Sequence, residues 1–326
     1  MIYTPVQFDI ATDAQYPEFI KHVTEVIESQ NETGMFKTYD DLNLFYRYIL
    51  TKDAKASIVI LHGYTEFLQK YYEVAWYLMN SGYNVFLYDM RGHGLSDRET
   101  EDPHLAHVKD FDDYIRDLDS FVNQVVKPAS GDLPLYIFSH SMGGAIAYLY
   151  LKDYPNVFTK GVFCSPMVDP QTHGAPRFFC TNHIKKYGPK IGWDKKFTYS
   201  GTWNPNPNFK MAADISYNRF ESNMNIRRSS WRYQNSASTF LWMRDVMKLR
   251  DRLLAPGFGD KIAYCKILMM SAGHDLTVRR REEDKLAKKL KNCEYYCFKD
   301  SKHTIYTGSD KNIKLFFEKT IKHFES

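Results

Sequence analysis

Leu135-Tyr136-Ile137-Phe138 is a short apolar run that ends in Ser139-His140-Ser141-Met142-Gly143, and a helical run from Gly144 to Leu151 follows at once. A strand that turns straight into a helix leaves space for small neighbours only, and Ser139 and Gly143 stand two before and two after the central serine. Ser141 is thereby expected at the tip of a strained strand-to-helix turn. Its hydroxyl would sit at the C-terminal edge of a sheet, above a helix N-terminus whose free N–H groups favour developing negative charge. Ser141 is the candidate nucleophile. A strand followed by a serine-capped helix is the plainer reading of the same stretch, and the rest of the chain has to decide between them.

Upstream, the buried strand Ser57-Ile58-Val59-Ile60-Leu61 runs into His62-Gly63-Tyr64-Thr65-Glu66. A glycine-containing loop there can approach a substrate closely, so the expected oxyanion donors are the backbone N–H groups of Tyr64 and of Met142, the residue after the serine. His62 reads better as a loop histidine bonded to backbone than as a chemical participant. Downstream, Lys266-Ile267-Leu268-Met269-Met270-Ser271 reads as a core strand followed by Ala272-Gly273-His274-Asp275. A further strand-like run, Glu294 to Phe298, leads into the polar loop Lys299-Asp300-Ser301-Lys302-His303-Thr304. Asp275 and His303 each fall just past a strand end. The order Ser141, Asp275, His303 is the serine, acid, histidine order of the α/β-hydrolase triad and differs from that of other serine hydrolase folds.

The chain resembles the serine α/β-hydrolases of the lysophospholipase and monoacylglycerol lipase group. Its marks are His62-Gly63 with Glu66, the run Asp89-Met90-Arg91-Gly92-His93-Gly94-Leu95-Ser96-Asp97, Ser-His-Ser-Met-Gly-Gly at 139–144, and the Asp275 and His303 loops. Asp102-Pro103-His104-Leu105-Ala106-His107-Val108 and Thr239-Phe240-Leu241-Trp242-Met243-Arg244 look most like the bacterial lysophospholipase branch. The resemblance implies the same roles for Ser141, Asp275, His303, Tyr64 and Met142. Ser139 departs from the usual glycine, a change to another small residue that should not disturb the turn. The Asp89–Asp97 run is not a phosphate loop; Arg91 and Asp97 read as structural.

Strands at Met35 to Thr38, Leu42 to Leu50, Ile58 to Leu61, Asn84 to Tyr88, Leu135 to Phe138, Gly161 to Cys164, Ile267 to Met270 and Glu294 to Phe298 are expected. Helical stretches near Pro17 to Glu28, Tyr71 to Asn80, Phe111 to Val126, Gly144 to Leu151, Arg281 to Leu290 and Ile313 to Phe324 accompany them. From Ile58 onward strand and helix alternate, which implies a mostly parallel central sheet flanked by helices, the α/β-hydrolase fold. Residues 1–326 read as one domain, with a core of 1–165 and 256–326 and a cap inserted at 166–255. The alternation breaks down inside that insert, and a helical pattern returns only near Thr239 to Leu253. The insert holds four of the five tryptophans, and its 15 Lys and Arg against 6 Asp and Glu give +9, where the rest of the chain carries −5.

At 44% hydrophobic and 25% charged, the 326 residues can bury a large core without disulfides. The five cysteines, Cys164, Cys180, Cys265, Cys293 and Cys297, form no Cys-x-x-Cys pair and are expected as reduced thiols rather than metal ligands. No run approaches the roughly 18 to 20 apolar residues of a membrane span. Met1 to Tyr16 lacks a basic region followed by an apolar stretch, so a cytoplasmic location is expected, with peripheral contact at the membrane. No metal or organic cofactor is expected.

The expected activity is carboxylic-ester hydrolysis of a single-chain glycerolipid, a lysophospholipid first, with monoacylglycerol lipase or general carboxylesterase as alternatives. A non-catalytic binding module on this fold would usually have lost a triad member, and none is missing. For the basic, aromatic insert, three readings stand open: a solvated face, contact with an anionic membrane surface, and nucleic-acid binding, the last without any supporting motif, so that no nucleic-acid partner is expected. Oligomeric state is not legible.

Overall fold

Eleven strands form among the residues that the computed structural model describes, which are 2–172, 176–197 and 203–326. They are β1 (Ile2–Tyr3), β2 (Glu32–Lys37), β3 (Asn43–Thr51), β4 (Ser57–Leu61), β5 (Asn84–Tyr88), β6 (Leu105–Ala106), β7 (Leu135–His140), β8 (Phe158–Cys164), β9 (Ala237–Ser238), β10 (Lys266–Ala272) and β11 (Cys293–Phe298). Nine of them make one sheet in the order β3-β5-β4-β7-β8-β10-β11, with β1 and β2 both paired to β3. Only the β2–β3 and β3–β5 pairings are antiparallel. From β5 to β11 every neighbour is parallel.

Parallel strands need crossovers, and helices supply them: Tyr72–Asn80 before β5, Asp112–Phe121 on the way to β7, Met142–Asp153 before β8 and Arg280–Lys289 before β11. Both sheet faces are therefore covered, which is why β4 reads Ser-Ile-Val-Ile-Leu without alternation. In β4, Val59 and Leu61 join the apolar layer under helices Asp112–Phe121 and Met142–Asp153. Ile58 and Ile60 join the opposite layer, with helices Tyr16–Gln30, Tyr72–Asn80 and Asp310–Glu325.

Arg91, wholly buried past the end of β5, binds Asp117 through two contacts of 2.6 Å and Asp40 through two of 3.0 Å. Asp97 accepts from the Asn43 backbone at 2.8 Å. The Asp89–Asp97 run thus clamps the β2–β3 turn to the helix Asp112–Phe121, the structural role expected of it. Removing one partner of such a buried pair costs about 3–5 kcal/mol, because the other charge is left uncompensated.

Between β8 and β10 lie helices Arg177–Ile191, Tyr217–Ser229, Phe240–Val246, Leu249–Leu253 and Phe258–Lys261. Residues 173–175 and 198–202 of the expected cap lie outside the described residues. The sequence pattern gave no sign of the first two helices. Arg177–Ile191 buries only Cys180, Ile184 and Gly188 and carries Pro189 inside it, and Tyr217–Ser229 buries Arg219, Phe220 and Met224, so neither shows an apolar stripe. Cys180, Ile184, Phe197, Phe240 and Met247 form a small apolar cluster of their own, whereas Trp242, Val246, Leu249 and Leu253 pack into the main core. Helix Tyr217–Ser229 is fastened to the sheet side by Arg219, which pairs with Glu73 at 2.6 and 2.9 Å and lies over the Tyr16 ring.

Candidate active site

The turn after β7 has the strain its sequence implied: Ser141 adopts φ 51° and ψ −116°, a region that side chains with a Cβ rarely enter. Hydrogen bonds hold it there. Ser141 N donates to Cys164 O at 3.0 Å, and Ser141 O accepts from Gly144 N at 2.9 Å and Met167 N at 2.8 Å. Gly143 has a second reason to be small, since a Cβ there would stand 2.6 Å from His62 O and 2.7 Å from Leu61 O. The first turn of helix Met142–Asp153 consequently presses against the loop after β4. Ser139 fits the turn, buried, with its hydroxyl 3.4 Å from Val162 O.

His303 reaches Ser141 from the loop after β11, with Nε2 2.9 Å from Ser141 Oγ. Its Nδ1 donates to Asp275 Oδ2 at 2.6 Å, so Nε2 carries the lone pair and accepts the hydrogen bond of the Ser141 hydroxyl. Asp275 Oδ1 accepts from Thr277 N at 2.7 Å and Val278 N at 2.9 Å. Burial pushes the Asp275 carboxyl up, but His303 and the two backbone N–H groups outweigh it and hold it below the ordinary aspartate value. The loops carrying acid and histidine touch at His274 N to Ser301 O, 2.9 Å, and at Gly273, where a Cβ would lie 2.0 Å from Lys299 O. All three residues are buried.

Tyr64 follows β4 and stacks its ring on Trp242, with centroids 4.5 Å apart. Met142 is the first helical residue, so its N–H has no acceptor within the helix. His62 is held by backbone: it accepts from Met90 N at Nε2, 2.9 Å, and its Nδ1 donates to Gly63 O at 2.8 Å. Burial lowers its pKa to about 4, so it is neutral near pH 7.

Glu66 organises this loop in a way its place in the sequence motif did not reveal. Its carboxylate accepts from Gly63 N at 2.6 Å, Tyr71 Oη at 2.5 Å, Lys70 Nζ at 2.5 Å and His140 Nδ1 at 3.1 Å. Burial alone would raise this carboxyl, but Lys70 and His140 hold it well below the usual glutamate value. Thr65, between Gly63 and Glu66, takes φ 59°, so the turn is strained and Glu66 ties it down.

A cavity of about 310 Å³ opens beside Ser141 and His303. Tyr64, Phe220 and Met224 give it apolar wall; Glu66, Lys70, Asp214 and Arg227 give it charge. Asp214 and Arg227, from the segment between β8 and β10, carried no signal in the sequence. Chemically, the arrangement offers a hydroxyl that faces the cavity from a strained turn, a base of fixed tautomer, an acid that orients the base, and backbone donors from two converging loops.

Comparison with known proteins gives the family and the fold. The family described as serine aminopeptidase, S33, matches residues 52–310. Lysophospholipase L2 of Escherichia coli K12 is 29% identical over 258 residues, 78% of this chain and 74% of that protein. Human monoglyceride lipase is 37% identical over 140 residues, 43% of this chain and 44% of that one. Among solved structures, a soluble variant of monoglyceride lipase from Saccharomyces cerevisiae superposes with a TM-score of 0.70 at 16% identity, covering 88% of this chain and 92% of its own, which shows a shared fold.

Proposed function

The chain belongs to the serine aminopeptidase S33 family and is a serine hydrolase, and from that premise we propose that it cleaves the carboxylic ester of single-chain glycerolipids, lysophospholipids first. The observation that carries this reading is the unbroken contact Ser141 Oγ, His303 Nε2, His303 Nδ1, Asp275 Oδ2 at the mouth of a charged cavity. Similarity to lysophospholipase L2 across most of both chains supports the choice of substrate class.

In this reading Ser141 Oγ attacks the ester carbonyl carbon as His303 Nε2 takes its proton. The N–H groups of Tyr64 and Met142 stabilise the oxyanion, and Asp275 stabilises the imidazolium. Collapse of the tetrahedral intermediate expels the alcohol, which receives the proton from His303. Water, deprotonated by His303, then attacks the acyl-enzyme and releases the fatty acid and Ser141. Monoacylglycerol is the second reading, favoured by the 37% identity to human monoglyceride lipase over part of the chain.

The segment between β8 and β10 acts here as a cap that meets anionic membrane surface. Phe178, Phe179, Ile191 and Met211 are exposed, and Lys185, Lys186 and Lys190 are exposed on the same helix as the first three. Among the described residues no helix is long and apolar enough to cross a bilayer.

The test is an acyl-release panel of a lysophospholipid and a monoacylglycerol of one chain length, a short p-nitrophenyl ester and an aminoacyl p-nitroanilide. The lysophospholipid should give the highest kcat/KM. A preference for monoacylglycerol would reverse the order of the two readings, and cleavage of the anilide alone would replace ester hydrolysis by peptidase chemistry.

A further inference from the structure

Four charged side chains line the cavity beside Ser141, and two of them neutralise each other. Lys70 Nζ and Glu66 Oε1 are 2.5 Å apart and both are largely shielded from solvent. Arg227 and Asp214 have no such partner among the described residues. Arg227 donates from Nε to Tyr233 O at 3.1 Å and from Nη2 to Asn235 O at 2.5 Å, and its guanidinium lies 4.5 Å over the Trp203 ring. These contacts fix its orientation without neutralising it, and leave Nη1 with no acceptor among the described residues. The carboxylate that acts on it through space is Glu66, which Lys70 already occupies. Burial lowers the Arg227 pKa to about 10, so it remains a cation near pH 7.

Asp214 is buried and uses Oδ1 to accept from Thr307 Oγ1 at 2.6 Å, with no Lys or Arg in ion-pair range among the described residues. Lys70 is within electrostatic range of both Asp214 and Arg227. Shielded, unpaired charges cost free energy that a ligand of complementary charge can recover. Two of opposite sign in one cavity call for a ligand that carries both signs.

Resting on the ester-hydrolase reading above, we propose that this cavity recognises a zwitterionic phospholipid headgroup, with Arg227 contacting the phosphodiester and Asp214 the ammonium. A guanidinium suits a phosphodiester because it is planar, permanently charged and presents parallel donors, and Trp203 holds its plane. A carboxylate with a free oxygen suits a primary or quaternary ammonium. The neutral glycerol of a monoacylglycerol would leave both charges unmet, so the two residues decide headgroup preference at the site that cleaves the ester.

The test compares kcat/KM on three substrates of one acyl chain: lysophosphatidylethanolamine, lysophosphatidylglycerol and monoacylglycerol. Arg227→Gln should lower the ratio of either phospholipid to monoacylglycerol by about 10- to 100-fold, the loss expected for a hydrogen bond to a charged group. Asp214→Asn keeps an acceptor for Thr307 and should lower the ethanolamine-to-glycerol headgroup ratio by about 3- to 10-fold, the difference between a charge-assisted and a neutral hydrogen bond to the ammonium. Arg227→Lys keeps the charge while losing the fork that holds Tyr233 and Asn235, and should retain a ratio closer to wild type than Arg227→Gln. If Arg227→Lys shifts the ratio as far as Arg227→Gln, Arg227 is a brace for that loop and the phosphodiester contact is overturned. Unchanged ratios in all variants, with the wild type cleaving monoacylglycerol, overturn the headgroup site and leave the hydrolase reading standing. A wild type that cleaves none of the three overturns both.

Discussion

Replacing Asp275 by Asn isolates what the acid does, because its two oxygens face different partners. Oδ1 accepts from the Thr277 and Val278 N–H groups, and Oδ2 accepts from His303 Nδ1. An asparagine must give one side an NH2 group. Turned towards the backbone, that group would meet two donors, leaving the buried Val278 N–H and the part-buried Thr277 N–H unsatisfied, at about 1–3 kcal/mol for the first and less for the second, or about 2–4 kcal/mol together. The favoured orientation therefore keeps the amide oxygen on the backbone and points NH2 at His303, whose Nδ1 must then accept and whose Nε2 must carry the hydrogen. In that tautomer His303 cannot take the Ser141 proton. At about 1.4 kcal/mol per factor of ten, the productive orientation is populated once in about 30 to 700 molecules, so kcat should fall by that factor or more. Initial rates on a short p-nitrophenyl ester, with far-ultraviolet circular dichroism to verify the fold, measure it. Asp300→Asn, at an exposed position, and Asp310→Asn, whose Oδ1 serves the Asp13 N–H at 2.7 Å, should leave kcat near wild type. Near-normal activity in Asp275→Asn together with a crippled Asp300 or Asp310 variant would refute the assignment of the acid.

Other perturbations address strain, charge and surface. Ser141→Gly should abolish ester hydrolysis and fluorophosphonate labelling yet raise stability by about 1 kcal/mol in urea titration, since glycine relieves φ 51° at some entropic cost, while Ser141→Ala, which keeps a Cβ, should be equally inactive without the gain. His93 is buried with Nδ1 3.0 Å from Arg91 O, and burial first, then His62, pulls its pKa down to about 3. A histidine depressed in the folded state contributes stability above its unfolded pKa of 6.5 and loses it as pH falls towards the folded value. The stability of wild type relative to His93→Asn should therefore drop by about 1.4 kcal/mol per pH unit below pH 6.5, and parallel curves between pH 7 and 5 would contradict the burial argument. Reversing Lys185, Lys186 and Lys190 to Glu should weaken binding to anionic vesicles by about 100-fold or more at about 1 kcal/mol per charge, with the wild-type affinity itself falling as salt is raised; retention of full binding would mark these lysines as a solvated face.

Much of the architecture was legible because its signals are local. Each buried strand is a short apolar run, and each candidate active-site loop begins where such a run stops: Ser141 after β7, Asp275 after β10, His303 after β11. Small residues at the turns announced contacts that the structure makes, Gly143 against His62 O and Gly273 against Lys299 O. The basic insert was legible as a break in the strand–helix alternation. Its helices Arg177–Ile191 and Tyr217–Ser229 were not, since a helix that buries an arginine or contains a proline writes no apolar stripe into the sequence.

What the sequence determined by itself was the sheet and the strand ends at which the candidate nucleophile, acid and histidine stand, because strand periodicity and turn sterics act over a few residues. The charge environment of the cavity was decided by tertiary structure alone. Glu66 and Lys70 follow β4, Asp214 and Arg227 come from the segment beyond β8, and His303 lies beyond β11. Nothing in the local spacing of Asp214 or Arg227 distinguishes it from the other charged residues of a basic segment. Folding shields these two without an ion-pair partner among the described residues and sets them beside Ser141, and the headgroup role proposed for them rests on that convergence.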